Sequence, residues 1–296
     1  SASGHPNVSR PTCSIDESYK YVFLPVCYSL TFLFSLTLNS VVLGRRWNTS
    51  LIYMVNLATT DLMYGLSLPF LVASYVLRDR WVFGDFMCRL VRFLFYFNLY
   101  CSIFFLTCIS VHRYLGICHP MRTITLESKR VVKGTCALVW AVVFILTCPI
   151  FRFAQTGYDQ DRYVNCWDDA IDKEFADYVP YGIVLHLLGF FVPFVIIAWC
   201  YSQVVRTIFQ TLRSPPSSID RRRRKSIKTI VTITLLFALC FLPFHVTRTL
   251  FLLMRRGQLG GCSVMKTVSI CYKVTRPLAS CNAWLNALLY FLTGDK

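Results

Sequence analysis

Three pairs of residues carry the strongest chemical signal in this 296-residue chain. Arg92 and Tyr96 are four apart, His245 and Arg248 three apart, and Lys273 and Arg276 three apart. Residues at those spacings are neighbours on one face of a helix, so each segment offers a basic pair or a basic–aromatic pair. If the three faces converge, their cations form a site for a multiply charged anion, and guanidinium forks match phosphate geometry. The alternative is that each long basic side chain snorkels separately to a membrane surface. Arg276 weighs against that, because an ideal helix puts it about 21 Å from Tyr290, too deep for an unpaired charge. Outer-loop acids such as Asp168 are candidate partners for part of the cluster.

A second constellation centres on Asp61, an acid inside an otherwise apolar stretch. A carboxylate in lipid must be neutralised, hydrated or paired with a cation. Asn39, Asn56, Ser102, Asn282 and Asn286 are the polar partners available on other apolar segments. Together they form either an interhelical hydrogen-bond network or an oxygen-lined cavity that holds a small cation. No spacing of Cys and His resembles a zinc site. No nucleophile–base arrangement, phosphate loop or dinucleotide fingerprint is present either, so the chain reads as a non-enzyme.

The elements that must position these residues are set by composition. The chain is 55% hydrophobic and only 16% charged, where a soluble domain carries about a quarter charged residues. With a mean hydropathy of +0.50, lipid is the expected solvent, and disorder, collagen and coiled-coil classes are excluded. A bilayer core needs about 20 mostly apolar residues in a helix. Such segments occur at 21–44, 51–77, 93–112, 134–151, 178–205, 229–247 and 264–293. The expected fold is therefore all-α, a seven-transmembrane helix bundle over 21–293, with a head at 1–20 and a tail at 294–296. The head carries the sequon Asn7-Val8-Ser9, a glycosylation acceptor, and the first span does not read as a cleavable signal. Prolines at 25, 69, 149, 193, 243 and 277 punctuate the spans. Several bent spans suggest a bundle with more than one arrangement.

The net charge of +16 divides by side. The segments 45–50, 113–133, 206–228 and the tail hold 16 basic and 3 acidic residues. The positive-inside rule makes that side cytoplasmic and the N-terminus extracellular. The run Arg221-Arg222-Arg223-Arg224-Lys225 there reads as a membrane-surface anchor, not a nucleic-acid site. Of 14 cysteines, Cys13, Cys88, Cys166 and Cys262 fall on the outer, oxidising side. Three pairings are possible; Cys88 with Cys166 and Cys13 with Cys262 are the expected ones.

With these residues placed, the chain resembles a rhodopsin-like (class A) G-protein-coupled receptor over essentially its whole length. The landmarks are Asn39, Leu57-Ala58-Thr59-Thr60-Asp61, Cys88, His112-Arg113-Tyr114, Trp140, Pro193, Tyr201, Phe241-Leu242-Pro243, and Asn286 to Tyr290. The resemblance implies an allosteric sodium site at Asp61, Ser102, Asn282 and Asn286, with no other cofactor. It also implies a switch of Arg113, Tyr201 and Tyr290 that opens a cavity for a heterotrimeric G protein.

Longer stretches are similar to the metabotropic nucleotide receptors (purinoceptors). They include Leu90-Val91-Arg92-Phe93-Leu94-Phe95-Tyr96, Phe241-Leu242-Pro243-Phe244-His245-Val246-Thr247-Arg248 and Tyr272-Lys273-Val274-Thr275-Arg276-Pro277. The similarity is greatest to the branch that responds to uridine nucleotides and couples through Gq to phospholipase C and calcium. It implies a multi-pass plasma-membrane receptor for extracellular UTP, UDP or ATP. Arg92, His245, Arg248, Lys273 and Arg276 then correspond to phosphate-binding positions, and Tyr96 and Tyr100 line the pocket. The alternatives are a receptor for another anion, such as a lysophospholipid or carboxylate, or a channel or transporter. Departures from the pattern are His112 before the switch arginine, Arg223 in place of an acid on span 6, and Ala287 in place of a proline.

Overall fold

A computed structural model describes residues 18, 20–45, 49–119, 121, 128–159, 163–167, 175–211, 220–257 and 261–293. Four helices build the first half: α1 (Lys20–Leu43), α2 (Thr49–Val76), α3 (Gly84–Cys118) and α4 (Lys129–Thr147). A single turn, α5 (Ile150–Phe153), leads into an antiparallel hairpin of β1 (Gln155–Asp159) and β2 (Tyr163–Trp167). The fifth span is α6 (Phe175–His186), a π turn at Leu187–Phe191, and α7 (Val192–Thr211). The sixth repeats that plan with α8 (Asp220–Leu236), a π turn at Phe237–Phe241, and α9 (Leu242–Gly257). The seventh is α10 (Cys262–Ser280) followed, after a break at Cys281, by α11 (Asn282–Thr293).

This is the expected seven-transmembrane bundle. Among the described residues, six helices are long and apolar enough to cross a membrane by length and composition. The seventh crossing, α10 with α11, carries Lys266, Lys273 and Arg276 and is interrupted. Helix α3 runs well beyond the expected 93–112, because its polar ends continue the helix outside the apolar stretch. It forms the centre of the core: Tyr96, Leu99, Tyr100, Cys101, Ile103, Phe105 and Leu106 are all fully buried. The lipid-facing helices instead expose large apolar residues such as Leu138, Ile145 and Val195.

The prolines act differently from one another. Pro25 and Pro69 lie inside unbroken helices. Pro193 and Pro243 each follow a π turn, in which Val192 N–H donates to Leu187 O and Leu242 N–H to Phe237 O. A proline ring clashes with the carbonyl four residues back; the extra residue in the preceding turn relieves that clash and keeps the ladder paired. Pro149 ends α4 and opens α5. Pro277 lies inside α10, and the Cys281 N–H at the break reaches back to its carbonyl. The break thus comes six residues before Ala287, whose small side chain packs with Val42 and Ala58 of spans 1 and 2.

Candidate functional site

The hairpin is fastened across the outer end of α3. The Cys88–Cys166 disulfide joins them, and Asp85 Oδ1 accepts from both the backbone N–H and the hydroxyl of Thr156 at 3.0 Å. Trp81 N–H donates to Val164 O at 2.8 Å, and Trp81, Cys88, Val91 and Cys166 bury one another. Gly84 opens α3 at φ 86°, a left-handed conformation that an L side chain resists. Cys262 is also disulfide-bonded, while its expected partner Cys13 and the sequon Asn7 lie outside the described residues.

Beneath the hairpin is a cavity of about 350 Å3, within the range of small-molecule sites. Arg92 of α3 and Lys273 and Arg276 of α10 line it, so two of the three basic pairs contribute to one wall system. Arg92 is 7% exposed and donates from Nη2 to Cys166 O at 2.8 Å. The guanidinium of Arg276 lies 5.7 Å from the centroid of the Phe95 ring. These basic groups face inward, so headgroup snorkelling does not describe them. Tyr28, Tyr75 and Tyr272 supply aromatic surface in the same cavity, and Asn165, Cys166 and Trp167 of β2 roof it. Lys20 and Asp79, which spacing alone does not single out, also line it. The expected partner Asp168 is outside the described residues.

The other expected ligand residues sit behind or below that wall. Arg248 is 1% exposed and donates to the hydroxyls of Tyr272 and Tyr178. Its guanidinium also stands over the ring of Tyr96, 4.9 Å from the centroid. Tyr96 is therefore the floor of a tyrosine cage rather than a free wall of the cavity. His245, one turn deeper, is fully buried. Its Nδ1 faces the Phe241 carbonyl at 2.7 Å; a carbonyl only accepts, so Nδ1 carries the proton. Nε2 then accepts from the Tyr100 hydroxyl at 3.1 Å, and Phe190 stacks on the ring at 4.2 Å. Both nitrogens of His245 are thus engaged within the bundle. Tyr100 itself fits because Gly189 in the π turn of span 5 has no side chain. A Cβ there would come within 2.6 Å of the Tyr100 ring.

Asp61 is fully buried at the next level down. Oδ1 accepts from Asn98 Nδ2 at 2.6 Å and from Ser102 Oγ at 3.4 Å, and Oδ2 accepts from Asn286 Nδ2 at 3.3 Å. Asn286 also reaches Ser102 Oγ and Asn282 Oδ1, each at 3.2 Å. Asn98 was missed in the sequence, although it sits four residues before Ser102 on the same face of α3. Two expected partners serve elsewhere. Asn39 donates to Ala283 O at 2.7 Å and ties span 1 to span 7, while Asn56 accepts from Trp140 Nε1 at 2.8 Å. The buried Oδ1 atoms of Asn286 and Asn39 have no hydrogen-bond partner among the described residues. The Asp61, Ser102 and Asn286 oxygens form an oxygen-only donor set of the kind that hard cations use.

At the cytoplasmic end, Tyr114, Ile117, Cys200, Val204 and Ile230 pack spans 3, 5 and 6 together. Two of the expected switch residues, Tyr201 and Tyr290, sit on spans 5 and 7 at this end. Tyr201 is 39% exposed, and Tyr290 packs against the Val42–Ala58–Ala287 cluster.

The fold and this layered interior define a class. The sequence profile of the 7 transmembrane receptor (rhodopsin family) matches residues 35–290, and the chain belongs to that family of receptors, which are not enzymes. Within it the chain falls among the metabotropic (Y-type) purinoceptors. It is 41% identical over 294 residues to purinoceptor 3 of this type from Meleagris gallopavo, covering 97% of this chain and 89% of the relative. It is 42% identical over 290 residues to the Homo sapiens purinoceptors 4 and 2 of the same type, covering 96% of this chain and 78% and 76% of theirs.

Proposed function

We propose that this protein is a plasma-membrane receptor, N-terminus outside, that is activated by extracellular nucleotides of the UTP, UDP and ATP class. It signals through Gq, phospholipase C and calcium. The observation that carries the reading is the cavity beneath the outer hairpin, where Arg92, Lys273 and Arg276 meet three tyrosines. A di- or triphosphate is the small molecule that uses several fixed cations at once, and its base and ribose use the aromatic wall.

Activation needs differential binding, since a ligand that binds two states equally shifts neither. The cationic wall comes from spans 3 and 7, and Arg248 on span 6 touches Tyr272 of span 7. A ligand that draws the Arg92 and Arg276 walls together therefore acts on span 6 through Tyr272. The π turns of spans 5 and 6 lie between that contact and the cytoplasmic cluster. Parting of those two spans then opens the Arg113 region to a G protein.

Concentration–response curves of intracellular calcium for UTP, UDP, ATP and ADP in cells expressing the chain test this reading. A response to at least one nucleotide, blocked by a Gq inhibitor, is expected. A response only to lysophospholipid or carboxylate agonists would assign the cavity to another anion.

Asp61, Ser102 and Asn286, with Asn282 behind them, are proposed to hold an allosteric sodium ion. The ion would supply the positive charge that the buried carboxylate otherwise lacks. Sodium is expected to lower agonist affinity in radioligand competition, relative to choline at equal ionic strength. Asp61→Asn should remove that sodium dependence. Equal sodium sensitivity in the variant and the unaltered receptor would refute the site.

A further inference from the structure

Among the described residues that line the cavity, one has the wrong sign for an anion site. Asp79, at the outer end of α2, lines it together with Arg92, Lys273 and Arg276. Its Oδ2 is 2.6 Å from Lys20 Nζ, with only 9% and 11% of the Lys20 and Asp79 side chains exposed. The Tyr21 hydroxyl donates to the same oxygen at 3.1 Å. Helix α2 ends here, and the Asp79 N–H donates to Ser74 O at 2.9 Å, a left-handed exit of the kind that closes many helices. Arg78 and Asp79 both adopt positive φ, 57° and 67°, a conformation that L residues other than glycine and Asn or Asp rarely take. A simple clamp between spans 1 and 2 would not need the carboxylate to face a cationic cavity.

We infer that Asp79 is the resting counter-ion of the cavity and acts as a specificity-determining residue, competing with the incoming anion for Lys20. The inference rests on the nucleotide reading above. While Asp79 holds Lys20, that ammonium is neutralised and the carboxylate repels approaching anions. A ligand with enough negative charge draws Lys20 onto itself and leaves Asp79 to the Tyr21 hydroxyl. A weakly charged ligand cannot make that exchange. Asp79 therefore sets a threshold of ligand charge, and the two members of the pair have opposite effects on potency.

The test is a set of calcium concentration–response curves to UTP and UDP for the unaltered receptor, Asp79→Asn, Lys20→Gln and the double variant. Surface number is measured by an antibody to an N-terminal epitope. Asparagine suits the left-handed backbone as well as aspartate does, and Asp79→Gly, free of any such restriction, is the second variant. Asp79→Asn releases Lys20 to any anion, so it should raise UDP potency about tenfold, and UTP potency by less, because the more highly charged ligand already draws Lys20 onto itself. Lys20→Gln should lower UTP potency about tenfold, and the double variant should return towards the unaltered value. A pure clamp would move both single variants in the same direction. That result, unchanged potency in Asp79→Asn, or failure of both Asp79 variants to reach the surface, overturns the inference alone. Silence of the unaltered receptor towards both nucleotides overturns the nucleotide reading and takes the inference with it.

Discussion

Replacing Arg276 with alanine should lower nucleotide potency by roughly two orders of magnitude, with surface expression unchanged. A hydrogen bond to a charged group contributes about 1.5–3 kcal/mol, and each 1.4 kcal/mol is a factor of ten. One guanidinium that makes two such bonds to a phosphate therefore accounts for a loss of about 10²-fold or more. Arg276 is suited to that role because it already faces the cavity, and its contact with Phe95 limits its motion. Arg276→Lys keeps the charge but loses the fork, so it should recover only part of the potency. Arg92→Ala should cost a similar amount, since Arg92 is held by the hairpin carbonyl at Cys166 and its Nε has no hydrogen-bond partner among the described residues. Calcium concentration–response curves normalised to surface receptor number measure both effects. Unchanged potency in Arg92→Ala and in Arg276→Ala would remove the cationic wall from the ligand site.

Much of this arrangement is legible in the sequence because membrane helices obey two simple constraints. Length and hydropathy define the crossings, and costly polar residues inside them mark the interior. On that basis the sequence offers one anion site from Arg92 with Tyr96, His245 with Arg248 and Lys273 with Arg276, if their spans converge, and a polar network of Asp61 with Asn39, Asn56, Ser102, Asn282 and Asn286. Redox side selects Cys13, Cys88, Cys166 and Cys262 and leaves three pairings open; the structure shows Cys88–Cys166. What the sequence does not show is depth. A spacing of three or four residues puts His245 and Arg248 on one face, but it cannot say that tyrosines from spans 3, 5 and 7 close over that face. Tyr178 lies far from Arg248 along the chain and carries no local signal. Asn98 was recoverable, because it repeats the phase of Ser102 on α3. Lys20 and Asp79 were not, since each sits at a helix end where a charge is ordinary. Only the folded structure shows that Asp79 lines the cavity and is buried against Lys20.

Arg248 is where placement changes the expected outcome of a mutation most. The spacing argument makes it a phosphate contact, for which loss of the side chain would weaken agonists and leave the empty receptor intact. In the structure it bonds two buried phenols and stands over Tyr96. Truncation leaves the Tyr178 and Tyr272 hydroxyls without that donor, at about 1–3 kcal/mol for each buried group left unsatisfied. Lost cation–π contact and the void left by the side chain add to this. Arg248→Ala should therefore destabilise the ligand-free receptor by about 3–6 kcal/mol, among the largest effects of single substitutions. Arg248→Lys should rescue little, because a single ammonium cannot span two hydroxyls that a planar fork joins. Thermal unfolding of the purified, ligand-free receptor in detergent distinguishes the roles. Arg248→Ala should melt well below the unaltered protein, while Arg276→Ala should melt close to it. A ligand-free Arg248→Ala receptor as heat-stable as the unaltered one would mean that the tyrosine cage does not depend on its guanidinium. The effect of Arg248 on agonist potency would then have to come from direct contact with the ligand.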